Sequence, residues 1–275
     1  MSSALRHRRR LPRRLWNPPE AGAFPYDRLG VLVALVLLGA AFSLTVPAPA
    51  QYLVLALLLI VFAIGEDFLL RSHARYRFSP ALLALPAVHL YGVVLVLPAA
   101  GGGVNTGALG VAGLAVLGLF LAADVLAERF ILAHGPARTV AHTLLEMLAY
   151  AGLFTLYAAV FQSKARTLML APVLLSATFG AAYRLLQADF ADRRRAAGDA
   201  LIVALGVAEA LWALTYWPIG GLAGGATLLL LCYVLLSLLR RVEAGSLSPR
   251  AALQYAAISV LSLALIFGRT VLAVR

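Results

Sequence analysis

The 275-residue chain is 62% hydrophobic and 13% charged, with a mean hydropathy of +0.90, whereas soluble domains are about half apolar and about a quarter charged. That balance excludes a soluble globular domain of ordinary size and specifies an all-α integral membrane protein. The formal charge of +11 comes almost entirely from arginine, and in so apolar a chain an arginine excess orients helices in a bilayer and does not mark a nucleic-acid-binding surface.

Residues 1–28 are polar, with Arg6, Arg8, Arg9, Arg10, Arg13, Arg14, Arg28 and the breaker Asn17-Pro18-Pro19. They are expected to form a cytoplasmic tail on anionic headgroups, each arginine adding about 1 kcal/mol of attraction. Residues 29–275 read as one polytopic transmembrane domain. A bilayer core of roughly 30 Å needs about 20 apolar residues per helical crossing. Such runs occur at 29–46, 51–70, 80–98, 108–131, 139–161, 168–187, 200–217, 221–239 and 252–272, predicting a bundle of about nine transmembrane helices. The first run ends in Val46-Pro47-Ala48-Pro49-Ala50, which looks like an Ala-x-Ala cleavage site. It is longer than the roughly 7–15 apolar residues of a signal peptide, so an uncleaved first span is expected.

The connections carry turn residues: Pro47-Ala48-Pro49, Gly101-Gly102-Gly103, His134-Gly135-Pro136, Gly220-Gly221 and Pro249. With the N terminus inside, the tail, Arg71, Arg75, Arg77, Arg129, Arg138, Arg184, Arg193 to Arg195, Arg240, Arg241 and Arg250 fall on the cytoplasmic side, 19 of the 23 basic residues. Only Lys164, Arg166, Arg269 and Arg275 fall outside. The positive-inside rule therefore predicts N inside and C outside, in a bacterial cytoplasmic membrane. Gly110, Gly113, Gly118, and the overlapping Gly220-xxx-Gly224 and Gly221-xxx-Gly225, supply small residues for close helix approach. Cys232, the one cysteine, excludes an intramolecular disulfide and a CxxC pair. There is no phosphate-binding glycine motif, which argues against ATP-driven transport by this chain alone.

A charge at the bilayer centre costs about 2.5–3.5 kcal/mol even on lenient scales, so the ionisable residues within the apolar runs are the candidate site. The i, i+4 spacing places Asp124 with Glu128 on one face of the fourth helix and His142 with Glu146 on one face of the fifth. If those faces meet, three carboxylates and an imidazole converge. Glu66 and Asp67 arrive at a comparable level, and Arg184 is the expected buried counter-ion. Glu209 lies near the middle of the seventh helix, where it either bridges to Arg269, the basic residue expected within reach, or forms a gated proton or substrate site. His89, in the third helix, is expected to hydrogen-bond a neighbouring helix in preference to binding haem.

Three readings of these residues stand. Arg71, Arg129, Arg138 and Arg184 pair with the acids in a structural belt; or the acids and His142 form a proton or cation path, as in a carrier or small-ligand-binding protein; or they hold a catalytic divalent metal such as zinc or manganese. No cofactor is otherwise evident, the lipid bilayer is the one partner expected, and neither enzyme nor non-enzyme is favoured.

Two resemblances arise. Glu66-Asp67-x-x-x-Arg71, Phe130-x-x-x-His134 and His142-x-x-x-Glu146 resemble the motif order of the CAAX-type intramembrane proteases. The likeness implies a metal-dependent hydrolase with Glu66 as base and His134 and His142 as site histidines, although Asp67 and Glu146 depart from the family's glutamate and asparagine. In the C-terminal third, Glu209-x-x-Trp212, Trp217-Pro218, Tyr233 and Tyr255 are similar to an uncharacterised family of bacterial polytopic membrane proteins, implying multi-pass topology and no activity.

Overall fold

The computed structural model describes residues 24–71, 76, 78–100, 106–132, 136–163, 167–189, 192–217, 219–246 and 248–273. Most of the predicted tail, His134, and Lys164 and Arg166 lie outside them. Among the described residues the chain is nine helices: α1 (Tyr26–Ser43), α2 (Ala48–Leu70), α3 (Ala84–Ala100), α4 (Thr106–Ile131), α5 (Pro136–Gln162), α6 (Thr167–Asp189), α7 (Arg193–Thr215), α8 (Gly221–Glu243) and α9 (Pro249–Ala273). A 3-10 turn, Pro80–Leu83, leads into α3. By length and composition, seven of them are able to cross a membrane: α1 to α5, α7 and α8. In α9 only a shorter stretch, Leu253–Ala264, is comparably apolar.

Two apolar cores organise the bundle. The first joins α1, α2, α3 and α4 through residues such as Val36, Leu55, Phe62, Val94 and Leu121. The second joins α3, α5, α6, α7 and α8 through Leu85, Leu153, Tyr157, Leu185, Val203 and Cys232. α5 is the most enclosed of the seven apolar spans and packs against α3, α4, α6 and α8. The glycines of α8 allow that packing: a Cβ at Gly225 would lie 2.8 Å from the backbone nitrogen of Ala158, and one at Gly224 would strike the Phe161 ring. Small residues on one helix thus let the backbone of the other approach.

Side-chain contacts tie one set of helix ends together. Arg28 at the start of α1 lies over Phe68 at the end of α2, and Arg129 at the end of α4 lies 4.1 Å over Phe24. Arg195 at the start of α7 pairs with Glu243 at the end of α8 at 2.8 Å, and Arg241 of α8 donates to the hydroxyl of Tyr255 in α9 at 3.0 Å. We call this the arginine-rich end.

Several helices run past the predicted apolar boundaries there. α7 starts at Arg193 and not at 200, because Asp192 caps it, its carboxylate accepting from the Arg194 N–H at 2.9 Å. α1 starts at Tyr26, just after Pro25, with Asp27 in its first turn, where a negative charge complements the helix dipole. α8 ends in a Schellman turn: Gly245 has φ 61°, its N–H bonds the Val242 carbonyl, and the Ser246 N–H bonds the Arg241 carbonyl.

Candidate functional site

The polar interior begins with His89. It lies nine residues beyond Pro80, about 14 Å at 1.5 Å per residue if the 3-10 turn is counted as helix, and its side chain is buried. Nε2 donates to the backbone carbonyl of Leu148 on α5 at 2.9 Å, and Nδ1 is 2.7 Å from Oδ2 of Asp124 on α4. A carbonyl oxygen only accepts, so Nε2 carries a hydrogen. The Nδ1···Oδ2 contact then needs its own proton, which sits on the ring as imidazolium or on the carboxyl. Either way His89 and Asp124 together are electrically neutral. Gly152, one turn beyond Leu148, makes this approach possible, since a Cβ there would lie 2.7 Å from Nε2.

Deeper toward the arginine-rich end, Arg184 of α6 clamps Glu128 of α4 with two hydrogen bonds. Nε donates to Oε1 at 2.7 Å and a terminal nitrogen donates to Oε2. Both side chains are more than nine-tenths buried. The bidentate fork is the geometry in which an arginine best compensates a buried carboxylate, and the pair is also neutral.

Glu66 of α2 completes the set. It is 2% exposed and lies within electrostatic reach of Asp124, Glu128, Arg184 and Asp67. Its Oε1, like Oδ1 of Asp124, is buried with no hydrogen-bond partner among the described residues. Asp67, its neighbour, is engaged by Arg71 at 2.5 Å at the surface. Tyr76, in the connection between α2 and α3, lies near both acids. Burial first, then the charges of Asp67 and Glu66, push ionisation of its hydroxyl above the ordinary phenol range, so it stays a neutral donor.

The convergence expected of α4 and α5 takes a different form. Asp124 and Glu128 turn toward α3 and α6, while Glu146 turns away, toward α8, where Arg240 donates to Oε1 and the Tyr150 hydroxyl donates at 3.4 Å. His142 is half-buried one turn before Glu146 on α5. Of the arginines expected to form a belt, Arg71 and Arg184 hold acids; Arg129 lies over the Phe24 ring; Arg138 is exposed. Glu209 is exposed on the outer face of α7, beside the exposed Leu205 and Trp212, and so does not belong to the interior set. The Arg269 side chain lies outside the described ones. Among the described residues, no three His, Cys, Asp or Glu side chains are grouped to hold a metal ion.

Residues 30–268 match a family described as a protein of unknown function, DUF5656. The chain belongs to the DUF5656 family. The match takes in all nine helices in whole or part, far beyond the C-terminal third that carried the resemblance in sequence. No curated protein and no solved structure matches the chain, and nothing in these comparisons relates it to the CAAX-type proteases. The DUF5656 chain is thus an all-helical protein whose seven long apolar helices are compatible with a membrane bundle, and its most enclosed polar feature among the described residues is the α2–α3–α4–α6 network.

Proposed function

We propose that this DUF5656 protein is a proton-coupled carrier of the bacterial cytoplasmic membrane, oriented with its N terminus inside, and that Glu66 is its proton-exchanging group. The orientation rests on the sequence pattern, in which 19 of the 23 basic residues fall on one side if the nine spans alternate in direction. The observation that carries the exchange is the charge count. His89 with Asp124 is neutral, and Arg184 with Glu128 is neutral, which leaves Glu66 as an enclosed carboxyl with no cation of its own among the described residues. An isolated carboxylate in such surroundings is costly, and a mobile monovalent cation, in the simplest case a proton, balances it.

Ionisable groups facing a bundle interior are the usual components of proton paths. Glu66 sits four residues before the end of α2, about 6 Å at 1.5 Å per residue, close enough to the arginine-rich surface to load from water. Proteoliposomes enclosing a pH-sensitive dye test the reading. The wild type dissipates an imposed pH gradient faster than empty vesicles, and Glu66→Gln, which keeps size and polarity, reduces the rate to the empty-vesicle level. Equal rates for wild type and variant would remove Glu66 from the path.

A structural reading has its own support in the two neutral pairs, which cross-link α3, α4, α5 and α6. It differs in its consequence, because a purely structural Glu66 affects stability and leaves the gradient alone.

A further inference from the structure

Outside the interior network, α5, α8 and α9 enclose an open cleft of about 500 Å³ at the arginine-rich end. It is lined by Arg240 and Arg241 of α8, Glu146 and Tyr150 of α5, Tyr233 of α8 and Tyr255 of α9, among others. Its one acid, Glu146, is taken by Arg240. Arg241 is held differently. Its Nε donates to the Tyr255 hydroxyl at 3.0 Å, and its guanidinium lies 5.3 Å from the centre of the same ring. No carboxylate pairs with it among the described residues. The ring and hydroxyl fix the orientation of Arg241 while leaving its charge uncompensated, so the cleft is positive by one unit.

We propose that this cleft binds the phosphate headgroup of an anionic phospholipid. Arg241 supplies the charge and the donors, and Ser237 and Ser246 also line the cleft. The same cleft offers an acyl chain the Met147 side chain, which lines it and is 65% exposed, with Ala244 also in the lining. Tyr150 and Tyr233 meet edge to face, ring centres 5.7 Å apart, where amphipathic rings sit at headgroup level. A basic pocket between helices at a membrane surface is the arrangement by which acidic headgroups are recognised. The chemistry recognised is a phosphate ester, and the exposed Met147 side chain favours the lipid-borne form over a soluble one.

Native mass spectrometry of the detergent-purified full chain tests this, with phosphatidylglycerol and phosphatidylcholine of identical acyl chains as probes. Retention of phosphatidylglycerol over phosphatidylcholine is expected. Arg241→Gln should weaken phosphatidylglycerol retention about fivefold, the effect of one arginine at a membrane surface, and leave phosphatidylcholine unchanged. Glu146→Gln should act oppositely and strengthen it by removing the cleft's one negative charge, a change of sign that loss of folding does not produce. Glycerol phosphate at the lipid's concentration should displace nothing. Equal retention of the two lipids, Arg241→Gln without effect, or displacement by glycerol phosphate would each overturn the proposal.

Discussion

Two arginine–carboxylate pairs of the same chemistry sit at the same end of this bundle, and their surroundings differ. Arg184 and Glu128 are 7% and 8% exposed and meet through a two-pronged fork. Arg240 and Glu146 are 22% and 27% exposed and line an open cleft. Burial decides what such a pair is for. The enclosed pair cannot exchange its partner for water, so removing one member strands a charge. The half-exposed pair is solvated on one side and can be rearranged by a ligand at little cost. The interior pair therefore fixes α4 to α6 and holds the electrostatic frame around Glu66, whereas the cleft pair only adjusts local charge.

Replacing one arginine in each pair sharpens the contrast. Arg184→Leu should have the largest effect, about 3–5 kcal/mol of destabilisation from the uncompensated Glu128, seen as a fall in thermal melting temperature in detergent. Adding Glu128→Leu should restore much of it, since replacing a whole buried pair with apolar residues is often close to neutral. If Arg184→Leu alone melted like the wild type, Glu128 would have another partner and the network would be misassigned. The smallest effect belongs to Arg240→Leu. Partial exposure limits its pair to about 0–1 kcal/mol, so its melting curve should nearly overlay that of the wild type. A loss comparable with that of Arg184→Leu would erase the distinction between the two regions.

The helices were legible in the sequence because each is announced by a long apolar run: the nine runs correspond to α1 to α9, of which seven are long and apolar enough to cross a membrane among the described residues. Their ends were less so. Hydropathy marks only where an apolar run stops, but α7 continues through Arg193-Arg194-Arg195 because Asp192 caps it. The interior acids were legible too, since a charge in such a run stands out by its cost. Their pairing was not. Spacing places Asp124 with Glu128, and His142 with Glu146, on common faces; it cannot say how far each helix is rotated about its axis when nearly every face is apolar and amphipathicity gives no direction. So Glu146 turned toward Arg240, and Glu209, which looks interior from its distance to the helix ends, lies on the outer face of α7.

The role of His89 as a link between α4 and α5 had one readable signal. Gly152, close to Ala149 and Ala151, leaves α5 free of side-chain bulk at the level where an imidazole needs room. The cleft had none, because Arg240 and Arg241 look like any arginines at the end of a membrane helix, and only the fold brings Tyr255 beside them.

The central claim is that Glu66 completes its charge balance with an exchangeable proton, and infrared difference spectroscopy of the reconstituted protein tests it most directly. At neutral pH the wild type should show the carbonyl band of a buried carboxylic acid that shifts on transfer to deuterium oxide, and Glu66→Gln should lack that band while keeping the amide bands of the helices. Identical carboxylic-acid bands in the two proteins would mean that Glu66 holds no proton, and the proposed exchange would fall with it.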